Sequence, residues 1–186
     1  MLKKFTTRQL VFIALWSALL AVVNSAVGIA ITAAVGVPLA SRIFTGITVG
    51  LSVLIIVRTI PKLGALTLLM TIYSILGFPA GAAGIPGFWP SIPITIASVF
   101  VGDFLIYLTR FKTWSIFLAW YVAVPLNIGG FLLALWALGI PQLDKLLPVA
   151  HIVVLVNLVC GTLGIILGLW AYTRLKDMRL IRQLGD

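Results

Sequence analysis

The 186-residue chain has no glutamate, four aspartates, one histidine and one cysteine. Each shortage closes off a class of chemistry. Only Asp103 lies within a long apolar run, so no pair of carboxylates can meet inside a membrane for acid and base work. A lone histidine excludes the HExxH pair and any histidine cluster. A lone Cys160 excludes a disulfide framework and a thiolate metal site. No GxxxxGK[ST] loop is present to cradle a nucleotide, so the chain does not hydrolyse ATP alone. A Gly-x-Ser-x-Gly elbow and the aspartate motif of lipid phosphotransferases are also missing. The expectation is a protein that is not an enzyme, with no catalytic residue, no cofactor and no metal.

What the chain has in abundance is apolar surface: 62% of residues are hydrophobic, 9% are charged, and the mean hydropathy is +1.22. A soluble domain of this length could not hide so much, so the solvent is lipid. Six spans are expected, at about residues 9–33, 43–57, 63–77, 90–109, 114–139 and 147–173, forming one all-α transmembrane domain over residues 1–186. The 24 residues from Leu10 to Ala33 carry no charge. As a helix they reach roughly 36 Å, enough for ~30 Å of hydrocarbon. Lys3-Lys4 ahead of this run resembles the start of a signal peptide, but the run is too long for one, and a retained span is expected. The second and third spans are short.

Basic residues sort by side. Lys3, Lys4, Arg8, Arg58, Lys62, Arg110, Lys112, Arg174, Lys176, Arg179 and Arg182 fall on one side, and only Arg42 and Lys145 on the other. Eleven against two places both termini in the cytoplasm of a multi-pass cell-membrane protein. Topology, not nucleic acid, thereby accounts for the net charge of +9. Trp114, Trp170 and Tyr172 then lie near the inner interface, and Trp89 and Trp136 near the outer one.

Small residues share helix faces. Ala14, Ala18, Ala21, Ser25 and Gly28 do so on the first span, Ser91, Thr95, Ser98 and Gly102 on the fourth, and Asn157, Gly161, Gly164 and Gly168 on the sixth. Such seams let helix backbones approach closely, within one protein or against a separate membrane subunit. Pro93 and Pro125 can kink their helices.

Polar residues gather in the half of the membrane expected to face outward. Asn24, Arg42, Tyr73, Trp89, Ser91, Thr95, Asn127, His151 and Asn157 are the candidates for a substrate pocket. A buried amide or imidazole must find a partner, so these side chains face the bundle interior. There aromatics can stack on a small ring and amides can orient it; the alternative is that each bonds a neighbouring helix. Asp103 stands apart, toward the inner side. By helix rise it shares a face with Arg110 about 10 Å away, and Arg58 is a second candidate partner. It is either a structural ion pair or a proton or ion site.

Six short-looped spans, the Ala14-x-x-x-Ala18 step and the basic turn from Arg58 to Ala65 (RTIPKLGA) resemble the S components of energy-coupling factor (ECF) transporters. The turn resembles the thiamin- and hydroxymethylpyrimidine-related branch. The resemblance implies a substrate-binding subunit of an ABC-type importer, taking up a vitamin or related micronutrient, thiamin-like or its pyrimidine precursor. It implies partners as well: an energy-coupling transmembrane subunit with two ATPase subunits, contacted by Ala14 and Ala18, with residues 34–42 as a lid over the pocket. The competing expectation is a small oligomeric secondary transporter or channel that uses Asp103 as its proton or ion site.

Overall fold

The computed structural model describes residues 4–35, 38–79, 87–176, 178, 181 and 184, with side chains at all of these except 32, 35, 38–42, 142 and 145. Among the described residues the chain is all helical. The elements are α1 (Thr7–Val35), α2 (Pro38–Thr59), α3 (Ala65–Gly77), α4 (Ser91–Leu108), α5 (Thr113–Ala137), a short α6 (Gln142–Leu146) continued by a 3-10 turn (Leu147–Val149), and α7 (Ala150–Leu175). Among the described residues four stretches are long and apolar enough to cross a membrane: Thr7–Ile31, Ser91–Leu108, Thr113–Ala137 and Leu147–Leu175. α3 has 13 residues, or about 20 Å of helix, well short of ~30 Å of hydrocarbon.

Local chemistry explains the starts. Thr6 and Gln9 form a reciprocal cap on α1. The Thr6 N–H donates to Gln9 Oε1 at 3.0 Å and the Gln9 N–H to Thr6 Oγ1 at 3.3 Å. The sequence pattern puts residues 34–42 in a wide loop, and this is corrected. α1 runs on to Val35, because alanine and valine do not stop a helix. α2 opens on Pro38, whose fixed φ suits a first helical position. Arg42 therefore sits on helical backbone, and its side chain lies outside the described residues. Pro93 falls in the first turn of α4, where its missing N–H would have had no helical partner, so the kink expected there has no cause. Pro125 does lie inside α5.

The helices close into a ring: α1 packs on α2 and α3, α3 on α4, α4 on α5, α5 on α7, and α7 on α2. The last contact is the most intimate. A Cβ at Gly164 would overlap the Ile47 carbonyl, and one at Gly50 would overlap that of Gly161, so here backbone meets backbone. Val53, Leu54, Ile55, Ile56 and Val57 are buried in succession, which places this half of α2 inside the ring. Around it pack Ile13, Ile60, Leu69, Ile106, Ile116 and Ile165. All of these come from the helix ends nearest the chain termini, so that half of the bundle is filled.

The same end is tied by polar contacts. Gln9 Nε2 donates to the Leu184 carbonyl at 2.7 Å, and Lys62 Nζ donates to Gln9 Oε1 and to the Lys4 carbonyl, both at 2.8 Å. Arg58 donates to Thr113 Oγ1, and Tyr172 donates to the Arg58 carbonyl at 3.3 Å.

Candidate functional site

At the helix ends remote from the termini the ring is hollow. A cavity of about 400 Å³ lies between α2, α3, α4, α5 and α7, with α6 and the 3-10 turn on one side. Among the described residues α1 supplies none of its wall. Small side chains at Gly46, Thr95, Ser98, Ala123 and Ala150 leave the space that isoleucine and leucine fill in the other half. The volume falls within the ~300–1,000 Å³ usual for small-molecule sites, and the lining is mainly apolar with a few convergent polar groups, as in such sites.

α5 gives the longest wall. Trp120, Val124, Asn127 and Phe131 are spaced four, three and four, so they share one face. Trp120 shapes the floor with Val49, Met70, Val99 and Ala123, and a smaller void of about 40 Å³ continues toward the filled half. The indole lies over Gly161, where any Cβ would overlap it, and donates Nε1–H to the Asn157 carbonyl at 3.3 Å. Higher up, Phe131 meets Phe88 edge to face with centroids 5.1 Å apart.

Of the nine candidate substrate residues, Tyr73, Thr95, Asn127 and Asn157 line this cavity together. Asn127 Nδ2 donates to Thr95 Oγ1 at 3.0 Å and to Ser98 Oγ at 3.3 Å, tying α5 to α4. Asn157 Nδ2 donates to the Val153 carbonyl at 2.8 Å on its own helix. Two more candidates stand behind the wall. Buried Asn24 donates to Tyr73 Oη at 3.3 Å and accepts from Thr48 Oγ1 at 2.7 Å, so it holds the tyrosine in place from α1. Ser91 Oγ donates to the Phe88 carbonyl at 2.7 Å and fixes the loop that carries that ring.

Two further candidates do not join them, and the Arg42 side chain lies outside the described residues. Trp89 is 68% exposed, and His151 is exposed on the first turn of α7; neither lines the cavity. Trp89, Trp114, Trp136 and Trp170 are all more than half exposed, as interfacial anchors are. Ala14 is exposed and Ala18 half-buried, because α1 turns Ile13, Ser17, Leu20, Ala21 and Asn24 inward instead. Sequence reasoning missed Thr45, Met70, Trp120 and Phe131 as wall residues. The periodic stripe through Asn127 would have found Trp120 and Phe131.

Asp103 takes a different role from either expectation about its partner. Its Oδ2 accepts from the Gly64 N–H at 2.9 Å, the Thr67 N–H at 3.1 Å and Thr67 Oγ1–H at 2.9 Å. The carboxylate therefore caps the start of α3, meeting free N–H groups and the positive end of a helix dipole. Gly64 takes φ 94° to turn the chain into that position. No arginine is involved among the described residues. α4 ends at Leu108 and Arg110 has φ 54°, so the helical spacing that would put Arg110 on the face of Asp103 is broken, while Arg58 is engaged by Thr113. Asp103 does not line the cavity.

Residues 7–140 match the model of a family described as a hypothetical bacterial integral membrane protein (Trep_Strep). The match covers well over half of the chain, and the chain belongs to that family. It is thus a membrane-spanning protein of bacterial type, in agreement with its apolar helices. No curated protein and no solved structure matches the chain.

Proposed function

We propose that this member of the family is the substrate-capturing subunit of an ATP-driven importer of the ECF kind, taking a small micronutrient from outside the cell membrane. The observation that carries this reading is a cavity with no charged lining residue among the described ones, confined to one half of the bundle, the half remote from the termini. Exposed Lys4, Arg8, Lys112, Arg174 and Lys176 lie at the opposite end. By the positive-inside rule that end is cytoplasmic and the cavity opens outward. With no nucleotide loop in the sequence, power comes from another chain, a coupling subunit with two ATPases. The exposure of Ala14 and half-exposure of Ala18 support α1 as the helix that meets it. The sequence resemblance points to a vitamin of the thiamin type or its pyrimidine precursor as the ligand class.

The experiment is mild-detergent capture from the native membrane, followed by native mass spectrometry. Co-purification of an ATPase pair and retention of a molecule of a few hundred daltons are expected. Uptake by the purified chain alone in liposomes, driven by an ion gradient without ATP, would overturn the proposal. The rival carrier reading needs Asp103 to exchange protons or ions with a pathway. Its engagement by α3 and its absence from the lining argue against that. Asp103→Asn is therefore expected to keep ligand binding.

A further inference from the structure

The chemistry of the cavity wall restricts what can occupy it. Among the described residues no aspartate, glutamate, lysine, arginine or histidine lines the space. An ion taken there would lose its water and meet no countercharge among the described residues. Carboxylates, phosphate esters and fixed cations are disfavoured alike. Tyr73, Trp120 and Phe131 offer flat apolar walls, which suit a planar ring.

The hydrogen bonds then fix the polarity. Ser98 spends its hydroxyl proton on the Thr95 carbonyl at 3.0 Å, so Ser98 Oγ must accept from Asn127, and the Asn127 nitrogen has to face it. The Val153 carbonyl can only accept, so the Asn157 nitrogen faces that group. Asn127 spends both amide N–H groups on the protein, and Asn157 spends one of its two on the Val153 carbonyl. Both amide oxygens are left without a protein donor among the described residues, on side chains that line the cavity.

We infer that the ligand is an uncharged, flat molecule carrying N–H or O–H donors for the side-chain oxygens of Asn127 and Asn157. This rests on the receptor reading and narrows it, because fixed cations such as thiamin itself fall outside the class, whereas a neutral aminopyrimidine falls inside it.

The test is equilibrium dialysis of the full chain in nanodiscs against four probes of one shape: benzamide, methyl benzoate, benzoate and benzamidinium. Benzamide is neutral and donates; the ester is neutral and cannot; the other two are an anion and a cation. Benzamide is expected to bind about five- to tenfold more tightly than each of the others, the margin for leaving a buried acceptor unmet or an ion uncompensated. Asn127→Leu and Asn157→Leu, checked for folding by size exclusion, are each expected to reduce the advantage of the amide over the ester. If the ester or either ion binds as well as the amide, the ligand class is wrong while the receptor reading stands. If none of the four binds, both are overturned.

Discussion

The two halves of this bundle are built from the same ring of helices and do opposite things. At the end bearing the termini, Ile60, Leu69, Ile106, Ile116 and Ile165 fill the ring, and Asp103, Gln9 and Lys62 knit its edge. At the other end, Gly46, Thr95, Ser98, Ala123 and Ala150 are among the wall residues, and about 400 Å³ is left open. The difference teaches that side-chain volume, not helix layout, decides where a membrane bundle is a scaffold and where it is a receptacle. Burial at one end stabilises the frame on which the hollow end is held.

The contrast can be broken most severely in the filled half. Leu69→Ala removes a fully buried side chain where neighbours cannot collapse, and is expected to lose about 2–5 kcal/mol, read as a lower midpoint in thermal unfolding in detergent. Next in size is Asp103→Leu. It leaves two N–H groups and one hydroxyl without their acceptor at the start of α3, and about 2–3 kcal/mol of destabilisation is expected in the same assay. Asp103→Asn keeps an acceptor and should cost clearly less. Gly64→Ala forces a side chain into φ 94°, and about 1 kcal/mol is expected, with faster hydrogen exchange at the first turn of α3. Smallest for stability is Asn157→Leu in the hollow half, expected within about 0.5 kcal/mol of the parent because that amide bonds only its own helix. A large loss of stability there, matching Leu69→Ala, would mean that the two halves do not divide the labour in this way.

Particular residues show how far the sequence could be read. The pairing of Tyr73, Thr95, Asn127 and Asn157 followed from depth along the helices, since a polar group in hydrocarbon has to face inward. Depth alone did not separate them from Asn24, which shares it but bonds behind the tyrosine, or from His151, which faces out. Facing depends on how each helix is rotated, and that is set by its neighbours. The small-residue stripes make the point again. Gly161, Gly164 and Gly168 are buried where α7 meets α2, while on α1 Ala14 is exposed. The same spacing produced a contact in one helix and left part of the other uncovered.

Composition and periodicity by themselves determined that the chain is a set of apolar helices in lipid, with its basic residues gathered toward one side. Those properties are sums and spacings along the chain, and need no partner to be defined. Only the tertiary structure decided that Asp103 caps α3 instead of pairing with an arginine, that residues 38–42 open a helix, and that the open space lies between α5 and its neighbours and not against α1. Each of these depends on what stands opposite a residue, which is a relation between distant segments that no local pattern encodes.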